Sequence, residues 1–256
     1  MGELDGKVAV ITGSGRGIGE AAARKLAANG ARVVVSDVDR GVAERVAAQI
    51  GGVAHVGDLV THGACDELID AAITSFGQLD IVVNNAGVHR VAALNEITDE
   101  QMQQMLDIHT IVPMRVLRAA GPYLQDAALA DLAAGREVFR KVVNVSSLAG
   151  VMGIPGQAAY AAAKAGAIGL TRSLAKEWGA LKINVNAVAF GMIETRMTAD
   201  LPDSTREAVA QLIPLGRGGT PDEAADGIYY LCSPQSNYVH GQVLAVSGGI
   251  TFGMAG

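Results

Sequence analysis

The chain has 256 residues, half of them hydrophobic and 18% charged, with a formal net charge of −6. A large apolar core is within reach of that composition, and disorder is excluded. The acidic balance speaks against a nucleic-acid binder, which carries a basic surplus.

Apolar, β-branched runs then alternate with alanine-rich helical stretches along the chain. Residues 7–12 read as a buried strand and 19–29 as a helix closed by Gly30. A strand at 32–36 and a helix at 41–49, closed by Gly51, repeat the pattern. A short strand at 53–56, a helix at 63–76 and a strand at 81–83 continue it. Helices are predicted around 99–106 and 112–117, a strand at 141–145 and a long helix at 158–178. A strand at 183–189, a helix at 221–231 and a last strand at 243–246 complete the series. Residues 124–140 fit the alternation least well and read as an extended helix with a surface excursion. Near-continuous apolar strands joined by helices mean a parallel sheet covered on both faces. Right-handed crossovers make that an α/β, Rossmann-type doubly wound sheet, expected as one domain over residues 1–256.

Two cysteines, Cys65 and Cys232, are too few for a disulfide framework and are expected as small core residues. No apolar run reaches the roughly 18 residues of a membrane helix. The opening residues Met1 to Gly6 lack a basic leader segment. A cytoplasmic protein with no metal site, no membrane partner and no nucleic-acid partner is expected.

After the first strand comes a glycine-rich turn in which Gly13, Gly17 and Gly19 form G-x-x-x-G-x-G. Glycines let the backbone approach a pyrophosphate, and the following helix offers free N–H groups and a positive dipole end. Gly13, Ser14, Arg16, Gly17, Ile18 and Gly19 are the expected dinucleotide contacts of this turn. Asp37 ends the second strand, where a carboxylate accepts from ribose hydroxyls and repels a 2′-phosphate. At about 4 Å and an effective dielectric near 20, two like unit charges cost roughly 4 kcal/mol. Asp37 therefore favours NAD(H). Arg16 pulls the other way, because a guanidinium pairs with phosphate, and keeps NADP(H) open.

Tyr160 and Lys164 lie four apart in a helical stretch and share one face. A free phenol titrates near 10, and a nearby ammonium is expected to lower that value. Ser147 is a hydroxyl donor for a substrate oxygen where charge develops. A core tyrosine beside a surface lysine would show the same spacing, so the pair alone decides little.

The wider context decides more. The chain strongly resembles the classical short-chain dehydrogenase/reductase family. The matching pieces are the turn from Thr12 to Gly19, Asp58-Leu59, Asn84-Asn85-Ala86-Gly87, Asn144-Val145-Ser146-Ser147, Tyr160-x-x-x-Lys164, and the run from Gly191 to Thr195. Their order and spacing match over nearly the whole chain. The thirteen-residue step to Tyr160 selects Ser147 over Ser146 as the family's serine. The resemblance implies that Tyr160 exchanges the hydroxyl proton, Ser147 holds the substrate oxygen, and Lys164 binds the nicotinamide ribose. It also implies that Asp58 and Leu59 contact adenine, that Asn85, Ala86 and Gly87 line the adenosine side, and that Ile193 and Thr195 hold the carboxamide. The stretches 156–166, 193–198, 214–217 and 241–249 extend the resemblance to 3-oxoacyl-(acyl-carrier-protein) reductases and their acyl-CoA relatives.

Three positions depart from the family. His109 stands where an asparagine is usual; a neutral imidazole has a donor and an acceptor with which to hold a relay water. Its ordinary pKa would add pH sensitivity. Phe190 replaces a proline before Gly191 and is expected to reshape the nicotinamide pocket. Residues 124–140 are longer than usual, and Arg136, Glu137, Arg140 and Lys141 make them a solvated surface feature or a patch for an acidic carrier protein.

Met192, Met197, Leu201, Val209, Leu212 and Ile213 make the segment after Thr195 apolar, fitting an acyl chain or another greasy ketone. The expected reaction interconverts a ketone and a secondary alcohol, with a 3-oxoacyl thioester, on acyl carrier protein or coenzyme A, as the first substrate. Another apolar secondary alcohol and a non-catalytic NAD(H) sensor are the alternatives. The helix at 158–178 is apolar nearly all round and is expected to be buried on all sides, by packing across subunits of a homotetramer.

Overall fold

The first strand, β1 (Val8–Thr12), is buried along its full length, as a central parallel strand with no polar alternation must be. Around it the computed structural model, which describes residues 2–199 and 203–250, builds a repeated strand–helix order. After β1 come α1 (Gly17–Ala28), β2 (Arg32–Asp37), α2 (Arg40–Ile50), β3 (Val53–Val56), α3 (Ala64–Phe76) and β4 (Ile81–Asn84). Then follow α4 (Asp99–Leu106), a π-helical turn (Asp107–Ile111), α5 (Val112–Ala133), β5 (Arg140–Ser147), α6 (Leu148–Met152) and α7 (Ala158–Trp178). β6 (Ile183–Phe190), α8 (Arg196–Ala199), α9 (Asp203–Gln211), α10 (Pro221–Cys232) and β7 (Val243–Val246) close the order.

All seven strands pair in parallel in the order β3-β2-β1-β4-β5-β6-β7. The expected doubly wound α/β sheet is therefore present. Strand parity sorts the core. Ala9 and Ile11 of β1 face α1, α2 and α10, while Val8 and Val10 face α3, α5 and α7. Each fully buried Leu or Ile in these layers contributes about 1.5–3 kcal/mol. Strand order reverses between β1 and β4, and the crevice beyond the carboxyl ends of such strands is where ligands bind in open α/β sheets.

Residues 124–140 differ in part from the sequence expectation. The helix predicted at 112–117 runs on to Ala133, because Val112, Val116, Leu117, Ala120, Leu124 and Ala128 continue one buried stripe. The extended-helix reading holds for this part. Of the charged residues beyond it, Arg136 and Glu137 are exposed, as expected of a surface excursion, and Arg140 and Lys141 are not. Arg140 is only 6% exposed and Lys141 3%. Asp131 pairs with Arg140 at 2.8 Å and with Arg136 at 2.6 Å, and Glu137 pairs with Lys182 at 2.8 Å. Lys141 Nζ donates to Asn184 Oδ1, Ser236 Oγ and Asn237 Oδ1 at 2.8–3.1 Å, tying β5 to the segment after α10. Burial pushes the Lys141 ammonium down to about 8. Arg140 and Lys141 are thus spent inside the molecule, and the exposed Arg136 shares Asp131 with Arg140.

Cys65 and Cys232 are free and buried, as expected. Burial pushes their thiols up to about 11 and about 12, which makes them inert. Phe190, expected to reshape the nicotinamide pocket, is turned into the core that it shares with Val188 and Ile193. The helix α7 is not covered all round within one chain, because Ala162, Ala165 and Gly169 are exposed on it. Among the described residues no helix is long and apolar enough to cross a membrane.

Candidate active site

The carboxyl ends of β1, β2, β4 and β5 converge on one crevice. At its centre Thr12 joins two strands. Its Oγ1 accepts from the backbone N–H groups of Asn85 and Ala86, both at 2.9 Å. Asn85 returns the contact, its Nδ2 donating to the carbonyls of Thr12 (2.9 Å) and Gly13 (3.0 Å). Thr12 was absent from the expected contacts. Its signal was a lone hydroxyl ending an otherwise apolar strand.

The turn after Thr12 needs its glycines. Gly13 and Gly17 adopt φ values of 62° and 56°, which L side chains rarely take. A Cβ at Gly13 would lie 2.8 Å from Ala86 Cα, and one at Gly19 would lie 2.2 Å from the Gly13 carbonyl oxygen. No side chain caps the amino end of α1, where Arg16 precedes the helix. Its first N–H groups and dipole are thus presented to an anion. Thr195 lies over Gly17, its Cγ2 at 3.7 Å from that position's Cβ site. Thr198, also unforeseen, holds the Thr195 strip by accepting from its N–H at 2.9 Å and donating to Ile193 O at 2.9 Å. These features fit a dinucleotide.

The expected contacts divide by where their polar groups go. Ser14 is turned inward: its hydroxyl donates to Ile11 O at 2.6 Å and accepts from Ser36 N–H at 3.0 Å, while its N–H bonds Ser36 O at 2.8 Å. It positions the turn and keeps no free donor for a phosphate. Leu59 packs its side chain into the core below α3. Asp58 is exposed and accepts from Val60 N–H at 3.0 Å. Asp37 stands at the end of β2, with Oδ2 accepting from Gly15 N–H at 3.1 Å. Ile193 is buried and bridges to Gly219.

On the β5 side, Ser147 ends the strand and Tyr160 and Lys164 rise from α7. Gly150 lets α6 lie against the Lys164 backbone, since a Cβ there would come within 2.7 Å. Ser146 Oγ donates to Lys164 O at 2.9 Å, so Ser146 fastens the helix and leaves Ser147 facing the crevice. Lys164 is only 4% exposed, and its Nζ donates to Val145 O at 2.7 Å. Burial brings the ammonium down to about 7. Nζ sits 5.8 Å from the Tyr160 ring centre.

Burial pushes the Tyr160 phenol above its ordinary value, and a hydrogen bond with Ser147 pulls the other way. The expected acidification by Lys164 is not the leading effect, because both groups are desolvated together. The phenol is held protonated. A protonated phenol in the same crevice as a serine hydroxyl is a proton donor for a carbonyl oxygen.

Two imidazoles flank the phenol ring edge-on, His89 at 4.9 Å and His109 at 5.1 Å between ring centres. His109 is 3% exposed, and its Nε2–H donates to Val88 O at 2.6 Å. Its Nδ1 lone pair is buried and has no donor among the described residues. Burial, reinforced by the Lys164 charge, pushes the imidazole down to about 2. The pH sensitivity expected near its ordinary value is thus displaced from the working range. It reappears in stability. Below about pH 6.5 the unfolded chain takes up a proton that the folded chain refuses, so stability falls on acidification by up to about 1.4 kcal/mol per pH unit. His109→Asn is expected to flatten that slope. Urea unfolding at pH 7 and pH 5 checks it, and equal slopes in the two proteins would remove the claim.

A parallel doubly wound sheet with a glycine turn, an acid at the β2 end and a Ser–Tyr–Lys group defines a nicotinamide-dependent oxidoreductase. The family described as enoyl-(acyl carrier protein) reductase matches residues 13–251. The 3-oxoacyl-(acyl-carrier-protein) reductase FabG of Thermotoga maritima is 36% identical, over 96% of this chain and 98% of its own. The 3-oxoacyl-(acyl-carrier-protein) reductase of Synechocystis is 38% identical, over 98% and 99%. A crystal structure of the 3-ketoacyl-(acyl-carrier-protein) reductase of Brucella melitensis complexed with NADH superposes with a TM-score of 0.88 at 33% identity, over 96% and 98%. The chain belongs to the short-chain dehydrogenase/reductase family and is an NAD(P)(H)-dependent oxidoreductase.

Proposed function

We propose that this enzyme reduces the 3-keto group of an acyl thioester, carried on acyl carrier protein or coenzyme A, and prefers NADH. The observation that carries the reading is the grouping of Ser147 at the carboxyl end of β5 with Tyr160 and buried Lys164 on α7, Lys164 Nζ standing 5.8 Å from the Tyr160 ring centre. The names of the 3-oxoacyl reductase relatives support the thioester. Bound nicotinamide dinucleotide supplies the hydride. Ser147 holds the carbonyl oxygen, and Tyr160 gives it the proton. Lys164 binds the nicotinamide ribose, and its charge favours the phenolate left behind. The His109 Nδ1 lone pair is the acceptor for a relay water in the place of the usual asparagine.

The backbone of Gly13, Gly17, Ile18 and Gly19 takes the pyrophosphate. Asp37 takes the adenosine ribose hydroxyls, and Asp58 with the Leu59 backbone takes adenine. Asn85, Ala86 and Gly87 line the adenosine side, and Ile193 and Thr195 take the carboxamide. Val209, Leu212 and Ile213 lie on the segment that covers an acyl chain; Leu201 lies outside the described residues. A homotetramer is part of the same reading, supported by the exposed small residues of α7; light scattering showing a monomer would remove that part.

NADH and NADPH are to be assayed against acetoacetyl-CoA and simple ketones. The expected result is oxidation of NADH with acetoacetyl-CoA ahead of the ketones. Tight coenzyme binding without turnover of any of them would favour a coenzyme sensor, and a strong NADPH preference would refute the role given to Asp37.

A further inference from the structure

Two acids stand at the end of β2, and only one of them is explained by a ribose. Asp37 is held by backbone, its Oδ2 by Gly15 N–H and its Oδ1 by Asp39 N–H, each at 3.1 Å. Asp39 caps α2, its Oδ1 accepting from the N–H groups of Gly41 (3.0 Å) and Val42 (3.4 Å). The cap leaves Oδ2 for Arg16, whose Nη2 donates to it at 2.8 Å. The Arg16 guanidinium holds the Asp39 carboxyl below the usual carboxylate range. The pair is therefore ionised at neutral pH.

Neighbouring guanidiniums are engaged as well. Arg40 pairs with Glu44 at 2.9 Å. Arg45 pairs with Glu20 at 2.9 Å and donates to Gly15 O at 3.0 Å. Arg16 is the one basic residue in the turn between β1 and α1. A 2′-phosphate placed beside Asp37 would need that guanidinium as its counter-charge.

We propose that Asp39 is a second coenzyme-selectivity residue, which acts by committing Arg16 to the amino end of α2 and so disfavours a dinucleotide carrying a 2′-phosphate. Asp39 is a positioning residue: it touches Arg16, and Arg16 would touch the phosphate. The inference rests on the dinucleotide site proposed above. The pair is exposed, so its release is a modest effect that salt screens.

The test is direct titration of NADH and NADPH binding, by nucleotide fluorescence, on the whole protein. Asp39→Asn keeps a capping oxygen and removes the charge. It is expected to tighten NADPH binding about three- to fivefold and to change NADH binding less than twofold. Arg16→Ala is expected to abolish the gain: adding Asp39→Asn to it leaves NADPH affinity where Arg16→Ala put it. The same gain in the Arg16→Ala background would overturn the inference, because Asp39 would then act by its own charge. NADPH affinity unchanged in Asp39→Asn, with NADH still bound, would overturn it too. Wild-type protein that binds neither dinucleotide would overturn the underlying site reading instead.

Discussion

Tyr160→Phe is expected to lower the rate of ketone reduction by about 10²–10⁴-fold, the usual contribution of a positioned general acid. The ring is kept, so the edge-on packing against His89 and His109 survives. Only the hydroxyl is lost. Stability should change by about 1 kcal/mol, the net worth of one hydrogen bond. Dinucleotide affinity should fall far less than turnover, which separates a lost proton donor from a damaged site. The direction of the Tyr160 shift adds a pH signature. Reduction needs the phenol protonated, and burial raises its pKa above the ordinary value of 10. Proton donation by this group is therefore retained through neutral pH and declines as pH rises through that raised value. The reverse reaction, which needs the phenolate, gains with rising pH over the same range. Stopped-flow measurement of hydride transfer in both directions checks this, and a Tyr160→Phe enzyme with wild-type rates would end the catalytic assignment.

What the sequence made legible follows from how local the signals are. Strands such as β1 and β6 announce themselves as unbroken apolar runs bounded by turns. Ser147, Tyr160 and Lys164 were picked out by the family resemblance, since the four-residue spacing of Tyr160 and Lys164 alone decided little. The expected helix stopped at 117, short of Gly121 and Pro122, whereas α5 runs through both. Pro122 sits on an exposed face, and the carbonyl it leaves free, that of exposed Arg118, is able to bond water. The π-helical turn that carries His109 inward has no signature in local propensity; it is set by packing of α4 and α5 against α7. Charges misled for a similar reason. Arg140 and Lys141 look solvated in one dimension; Asp131 reaches Arg140 from the end of α5, and the Lys141 partners Asn184 and Asn237 come from elsewhere in the chain. The Tyr160 shift was misjudged because a lysine four residues away is legible and the desolvation of both groups is not.

Thr12→Val is expected to cost about 2–4 kcal/mol of stability, although the two side chains have nearly the same shape. The hydroxyl oxygen accepts two backbone N–H groups, those of Asn85 and Ala86. Valine leaves both without an acceptor, at about 1–3 kcal/mol for each if no water replaces it. The position is also where strand order reverses, so these two bonds fix the end of β4 against the end of β1. Loosening them moves Ala86 relative to Gly13, two residues so close that a Cβ on Gly13 would stand 2.8 Å from Ala86 Cα. Dinucleotide binding should therefore weaken along with stability, by about tenfold for a misplacement worth 1.4 kcal/mol. Thr12→Ser supplies the control. It restores the oxygen, loses one methyl group, and should recover most of both quantities. Urea-unfolding midpoints and NADH titration on the three proteins measure the two effects separately. A valine variant as stable as wild type would show that the hydroxyl does not hold the strand ends together.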